Sequence, residues 1–372
     1  MTNRHSTSNS NRLFFFGFSR WKRGFMKPFF ESQNSEMLFC DTLVDATALG
    51  LNKADKAFIW GMKNDYEIVK YCEEKNIHIS RVEDGFIRSV SLGSDLTRPY
   101  SLVVDNKGIY IDPAKESDLE DILFSFVFDD IIRERAKKLI EKIVSSKFSK
   151  YNGFTHKKLS ILAKPNQKVI LIPAQVEDDA SMLYGGMGMD TTMLIKKVRE
   201  QNLSAYIIFK PHPDVLSGNR KGLKDKEVVL VYCDDIIEDA SIDSCIDICD
   251  EVHTITSTAG FDALIRGKKV FTYGMPFYAG WGLTNDKHQC KRRGRKLTLF
   301  ELVAGVLIIY PRYISPKTKK LCEVEVAFDE MIEIQRRYFD VFWYNFLVNS
   351  KTLVLRRVRR IIEFILQLIG KR

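Results

Sequence analysis

Short apolar runs alternate with amphipathic stretches along most of the chain, and the alternation falls into two series. Residues 1–11 are polar and low in complexity, which predicts a disordered start. "RLFFFGFSRWKRGFMKPFF" then gives a short buried-type strand, a glycine turn and a basic aromatic segment. "KAFIWG" (56–61) and "IHISRVED" (77–84) read as strands, with a helix over 64–76 between them. "SLVVD" (101–105) and "GIYID" (108–112) flank Asn106-Lys107, turn residues that predict a hairpin. Residues 117–149 read as helical, and "KYNGFTHKK" follows as a polar link.

The second series opens at "KVILIPA" (168–174). Further strands are expected at 204–211, 227–232 ("EVVLVY"), 251–257 and 269–274, with helices at 189–202, 235–249 and 259–267. Strand, helix, strand at these intervals predicts an α/β fold with parallel sheets and right-handed crossovers. Two such series predict two Rossmann-like domains facing a cleft, over residues 12–160 and 161–310. Residues 311–372 read as a helical tail.

Composition and charge sharpen this picture. The 372 residues leave room for about two domains, and 45% hydrophobic with 28% charged residues excludes wholesale disorder. Of the net charge of +9, residues 341–372 carry +6, seven Lys/Arg against Glu363. The body is nearly balanced, which disfavours a general nucleic-acid surface. On a helical wheel Val354, Val358, Ile361, Ile365, Leu368 and Ile369 share one face, with Arg356, Arg360, Glu363, Gln367 and Lys371 opposite. That pattern fits either an interfacial helix on an anionic membrane or a helix docked on the protein body. The longest apolar run, 302–310, is far below the ~20 residues a spanning helix needs. With no secretory signal at the start and seven unpatterned cysteines, a cytoplasmic protein peripheral to the inner face of the cytoplasmic membrane is expected.

In open parallel sheets ligands bind beyond the carboxyl ends of strands, so polar clusters in those loops are the candidate chemistry. Four qualify: Glu83-Asp84 with Arg88; "QVEDDAS" with Gln175, Asp178, Asp179 and Ser181; "KPHPD" with Lys210, His212 and Pro213; and Ser257-Thr258 with Gly260, opening a helix. Hydroxyls and free N–H groups at a helix start suit an anion, although Ser and Thr also serve as plain N-caps. Together "KPHPD" and Ser257-Thr258 describe a phosphate clamp without a Walker lysine or a G-x-G-x-x-G sequence. Glu83 and Asp179, from different domains, are placed to meet across the cleft. Solvated loop acids are the simpler alternative. Asp178-Asp179 is not a D-x-D pattern, so no metal is expected. The aromatics of "PFYAGWGLT" and "YPRY" (310–313) suit core packing or a binding platform.

"GFSRWKR", "VEDGFIRS", "RPYSLVVD", "GIYID", "QVEDDAS", "KPHPDV", "STAGFDALIRGKKV", "YGMPFYAGWGLT" and "LIIYPRYISP" occur in this order over about residues 13–325. The sequence resembles the KpsC/LipB-type capsule polysaccharide β-Kdo transferases. Members often carry two modules in tandem; this chain has one, similar to the second. The resemblance implies a glycosyltransferase of the B architecture that uses CMP-Kdo, retains configuration and needs no metal or other cofactor. It implies Asp179 as nucleophile, with Asp178 the alternative, and Glu83 as acid/base, with Asp84 the alternative. His212 with Ser257 and Thr258 would hold the CMP phosphate, assisted by Lys210, Pro213 and Gly260. Arg88, Ser19, Arg20, Lys22, Gln175 and Ser181 would face the sugar and its carboxylate. A saccharide or lipid-linked acceptor is implied. The remaining alternatives are a transferase for another CMP-activated acid, such as sialic acid, or a non-catalytic glycan-binding or export subunit.

Overall fold

The structure, a computed structural model, describes residues 11–30, 35–62, 65–89, 98–148, 158–216, 220, 222–223 and 225–340. It contains two sheets. In the first half the elements are β1 (Asn11–Phe16), α1 (Arg20–Phe30), β2 (Ser35–Cys40), α2 (Leu43–Ala48), β3 (Lys56–Trp60), α3 (Tyr66–Glu74), β4 (His78–Asp84), β5 (Ser101–Asp105), α4 (Asp118–Ser125) and α5 (Asp130–Ser146). In the second they are β6 (Val169–Pro173), α6 (Ala180–Gly185), α7 (Thr191–Gln201), β7 (Tyr206–Lys210), α8 (Pro213–Leu216), α9 (Lys226–Tyr232), β8 (Asp235–Ile236), α10 (Ile242–Ile248), β9 (Glu251–Thr254), α11 (Thr258–Ile265), β10 (Lys269–Thr272) and β11 (Asn285–Asp286). A closing segment holds α12 (Leu299–Val303), a π-helical turn at Ala304–Ile309, β12 (Pro311–Ile314), β13 (Leu321–Cys322) and α13 (Val324–Asp340).

The second sheet is parallel throughout, in the order β11-β10-β9-β6-β7-β8. Its central strands are apolar on both faces because helices cover both: every residue of β6 and β7 is buried. Strand order reverses between β6 and β9, and that switch point opens the crevice in which the site lies. The first sheet runs β13-β12-β5-β4-β3-β1-β2. Its β4–β3–β1–β2 portion is parallel, but β5, β12 and β13 add antiparallel. One apolar core is shared between the halves, running from Phe86, Val103 and Leu119 to Leu171, Val252 and Phe328.

Several expectations need correction. Residues 108–112 form a turn rather than the second strand of a hairpin. The Asp105 carboxylate accepts from the N–H groups of Lys107, Gly108 and Asp118 at 2.9–3.0 Å and bends the chain away. The place beside β5 is taken by β12. "EVVLVY" is helix α9, not a strand: the Asp225 carboxylate caps the N–H groups of Glu227 and Val228, and the strand position falls to β8. Valine periodicity over six residues does not separate the two states.

The expected helix over 117–149 is two helices separated at 126–129, and the expected helix over 235–249 shortens to α10 behind its Ser241 cap. The basic aromatic segment is helix α1. Residues 311–322, expected to begin a helical tail, return to the first sheet as β12 and β13. Buried Ile314 there packs among Phe15, Val82 and Leu102. Residues 1–10 and the amphipathic stretch 341–372 lie outside the described residues. No helix among the described residues is long and apolar enough to cross a membrane. All seven cysteines are free thiols.

Candidate active site

A cavity of about 430 Å³ lies between the two sheets, beyond the carboxyl ends of β4, β6, β7 and β9. It brings together Glu83, Asp84, Arg88, Gln175, Asp179, Ser181, Lys210, His212, Pro213, Ser257 and Thr258. The four strand-ending loops chosen from the sequence thus converge on one space.

Asp179 caps α6. Its Oδ1 accepts from the Ser181 N–H at 3.0 Å and from Ser181 Oγ at 2.9 Å. Oδ2 has no hydrogen bond among the described residues, and the twofold grip on Oδ1 fixes its direction. Ser181 therefore acts through Asp179. Asp178, one residue earlier, is outside the cavity lining and accepts a forked bond from Arg220 at 2.9 and 3.2 Å.

On the opposite wall, Glu83 and Asp84 end β4. Glu83 Oε1 accepts from the Asp84 N–H at 3.0 Å. Asp84 Oδ2 accepts from Nε of buried Arg88 at 2.7 Å. A Cβ on Gly61 would lie 3.4 Å from Glu83 Oε2, so the bare glycine at positive φ leaves this carboxylate room.

His212 has a defined tautomer, because the Asp214 N–H donates to Nδ1 at 3.1 Å. The neutral ring therefore carries its proton on Nε2, as a donor. Prolines on both sides hold the backbone, and α8 starts immediately after it. Lys210 is buried and donates to the Glu238 carbonyl at 2.7 Å. Burial pulls its ammonium below the ordinary value, against the opposing pull of Asp239 and Glu238. It braces the loop after β7 as well as lining the cavity.

Ser257 caps α11, its Oγ accepting from the Ala259 N–H at 3.2 Å. Tyr278, fully buried, donates to the Ser257 carbonyl at 2.6 Å. Gly260 does not line the cavity: its N–H is spent on the Ser257 carbonyl, and a Cβ there would collide with Tyr278 Oη. Its place in the sequence reflects close packing under the helix start. Gln175 is used internally. Its Oε1 accepts from the Thr256 N–H at 2.8 Å, and its Nε2 donates to Thr256 Oγ1 at 2.8 Å.

Ser19, Arg20 and Lys22 are not in the cavity wall. Ser19 and Arg20 are exposed at the start of α1. Lys22 packs its ammonium on the Trp60 ring, 3.1 Å from the centroid. Burial lowers its pKa, while Asp84 and Glu83 raise it.

Sequence reasoning passed over Tyr110, Arg220, Thr256 and Asp262, which also line the cavity, whereas Phe277 belongs to the aromatics of "PFYAGWGLT" already weighed as a binding platform. Asp262, one turn after Thr258 on α11, and Thr256, next to Ser257, were findable; Tyr110 and Arg220 reach the site through tertiary packing alone. The aromatics of 276–281 and 310–313 are core: Trp281, Tyr278, Tyr310 and Tyr313 are buried, and Phe277 packs on Phe86, Tyr110 and Phe261. Phe277 alone of these lines the site.

Comparison with known proteins follows this geometry. The family model described as capsule polysaccharide biosynthesis protein matches residues 56–313. The capsule polysaccharide modification protein LipA of Neisseria meningitidis serogroup A is 44% identical over 320 residues, covering 85% of this chain and 44% of LipA. The chain thus spans about half the length of that relative. The lipopolysaccharide-processing protein LpsZ of Rhizobium meliloti is 36% identical over 320 residues, 85% of this chain and 73% of LpsZ.

Among solved structures, Thermosulfurimonas dismutans KpsC, β-Kdo 2,7 transferase, aligns with TM-score 0.73 and 36% identity, covering 87% of this chain and all of that one. The β-Kdo 2,4 transferase of the same KpsC gives TM-score 0.75 and 30% identity, covering 86% and 97%. With two Rossmann-like sheets facing a cleft, the chain has the glycosyltransferase B architecture expected from its sequence.

Proposed function

The chain belongs to the capsule polysaccharide biosynthesis family, and on that premise we propose that it transfers Kdo from CMP-Kdo to a saccharide or lipid-linked acceptor with retention of configuration. The observation that carries this reading is the convergence of Glu83, from the first sheet, with Asp179, His212, Ser257 and Thr258, from the second, on one 430 Å³ cavity. The related KpsC structures, described as β-Kdo 2,7 and 2,4 transferases, support it.

Each residue then has one task. The CMP phosphate lies against His212 Nε2–H, the hydroxyls of Ser257 and Thr258, and the start of α11, where a helix favours negative charge. Arg88 lies where its guanidinium can draw the Kdo carboxylate. Asp179 Oδ2 attacks C2 of Kdo. The C2–O bond to phosphate breaks, and its electron pair leaves with CMP. The departing charge needs electrostatic stabilisation more than protonation, which the clamp supplies. The acceptor hydroxyl then displaces the Asp179 carboxylate from C2, and its proton passes to Glu83. Two inversions give net retention. The reaction is proposed to be metal-independent. The basic amphipathic stretch within 341–372 is proposed to hold the enzyme on the anionic inner face of the cytoplasmic membrane.

The test is incubation with CMP-Kdo or CMP-sialic acid and a set of acceptors, read by mass spectrometry and by NMR for the anomer, with and without EDTA. A β-Kdo product unaffected by EDTA is expected. Transfer from CMP-sialic acid alone would identify another acidic-sugar transferase. Binding without transfer from either donor would identify a glycan-binding subunit.

A further inference from the structure

Arg293 and Glu120 form a buried ion pair between segments 173 residues apart in sequence. Arg293 Nε donates to Glu120 Oε1 at 2.7 Å. Arg292 Nε takes the other oxygen, Oε2, at 2.9 Å, and its Nη2 donates to the carbonyls of Pro113 and Lys115. Arg293 Nη1 serves a different segment, donating to the carbonyls of Pro276 and Ala279. The reaction proposed above uses none of these groups, and neither arginine lines the cavity.

The segment held by Arg293, residues 275–279, supports the site in two places. Met275, Pro276 and Phe277 line the cavity. The Met275 N–H donates to the Gly185 carbonyl at 2.8 Å, at the end of α6, the helix that Asp179 caps. Tyr278 donates to the Ser257 carbonyl at 2.6 Å, at the start of α11. The proposed nucleophile and the proposed phosphate clamp therefore rest on one segment whose carbonyls Arg293 holds.

Glu120 ties the same arginine to the opposite wall. It lies in the first turn of α4, where the Asp118 N–H donates to buried Asp105 Oδ2 at 3.0 Å. Asp105 ends β5, which pairs with β4 so that Val103 stands opposite Glu83. Hydrogen bonds thus lead from the strand of Glu83 to the segment behind Asp179 and Ser257. A buried ion pair adds little net stability, because desolvating both charges offsets their attraction. What a planar guanidinium fork supplies is direction. A site whose reacting groups come from two halves depends on such fixed supports.

We propose that Arg293 is a positioning residue for the transfer, and that with Glu120 it sets the Glu83 wall against the Asp179 wall. The inference rests on the transferase reading and adds the contact that keeps its two carboxylates in place. Arg293 acts through the 275–279 segment.

The test uses the full-length chain and the variants R293Q, R293K, E120Q and R293Q/E120Q, with rates expressed per folded molecule. E120Q keeps an acceptor for Arg293 Nε and leaves the bonds to Pro276 and Ala279 in place. It should lower kcat about tenfold, with KM for CMP-Kdo and calorimetric CMP affinity unmoved, because the donor side stays whole. R293Q also releases the 275–279 segment. Its kcat should fall about a hundredfold, and CMP should bind about tenfold more weakly. R293K should recover part of both losses. The double variant should be no slower than R293Q, since both substitutions break one link. A lowered Tm with wild-type kcat and CMP affinity in all three single variants would overturn the positioning role, as would kcat losses that multiply in the double variant. If R293Q does not fold, E120Q and R293K carry the same comparison.

Hydrogen exchange on the free protein separates the two readings. The amides of Ala259, Gly260 and Met275, each hydrogen-bonded here, should exchange faster in R293Q. Faster exchange, in a wild type that transfers nothing from CMP-Kdo, leaves Arg293 as the support of this cleft and removes the transferase reading. Exchange equal to wild type at all three amides overturns the positioning role whatever the transfer assay gives.

Discussion

Gln175 grips Thr256 twice, with Oε1 accepting from its N–H and Nε2 donating to its hydroxyl, both at 2.8 Å. The two residues sit just past β6 and β9, the strands that diverge at the switch point, so one amide ties the floor of the cavity together. Gln175→Ala leaves a buried N–H and a buried hydroxyl unpaired. It should cost about 1–3 kcal/mol and lower Tm by several degrees. CMP affinity should fall with it, because the next residue after Thr256 begins the proposed phosphate clamp. Calorimetric melting with and without CMP checks both effects.

Asp179 both caps α6 and, on our proposal, attacks the donor, and two substitutions separate these roles. Asp179→Asn keeps an N-cap oxygen and removes the nucleophile. Transfer should fall at least about a thousandfold, with Tm and CMP affinity nearly unchanged. Asp178→Ala breaks the surface pair with Arg220 and should retain most of the transfer. Steady-state rates with CMP-Kdo decide the matter. A fully active D179N would remove Asp179 from the chemistry.

His212→Ala should weaken CMP binding by about one to two decades, the worth of a hydrogen bond to a charged group. Isothermal titration with CMP is the measurement. An unchanged Kd would make His212 a support for the turn into α8.

His253 supplies a pH signature independent of the reaction. Buried in a stack on Phe271, its imidazole is pushed down to about 4, chiefly by burial. Between the unfolded value near 6.5 and that value the unfolded chain binds a proton that the folded one refuses. Stability should therefore fall as pH drops from about 6.5 to 4, by roughly 3 kcal/mol. Above pH 6.5 this contribution is constant. Urea titrations across that range should show the slope in wild type and a shallower one in His253→Phe.

The basic stretch near the C-terminus predicts sedimentation with anionic vesicles at low salt and release at high salt. Replacing Arg356, Arg357, Arg359 and Arg360 with Glu should abolish sedimentation and leave transfer to a soluble acceptor intact. Binding that survives the replacement would show that these arginines are not the membrane contact.

By itself the sequence determined the strands that are apolar on both faces, such as 169–173 and 206–210, and the loops that end them. Burial from both sides leaves no polar positions in a strand, and the polar clusters at strand ends follow from local order along the chain. That was enough to place Glu83 at the end of a strand and Asp179, His212, Ser257 and Thr258 in strand-ending loops. Tertiary structure decided what depends on neighbours distant in sequence. The same valine-rich pattern that read as a strand at 227–232 became a helix because Asp225 capped it and β8 filled the sheet position. Adjacent acids 178 and 179 are equivalent on paper, yet Arg220 draws one aside while the other caps α6 at the cavity wall. Gly260 and Gln175 look like ligand-binding residues until Tyr278 and Thr256 are packed against them. The return of β12 to the first sheet, beside β5, joins segments more than two hundred residues apart. No local periodicity encodes a contact of that length, because it arises only when two remote surfaces bury each other.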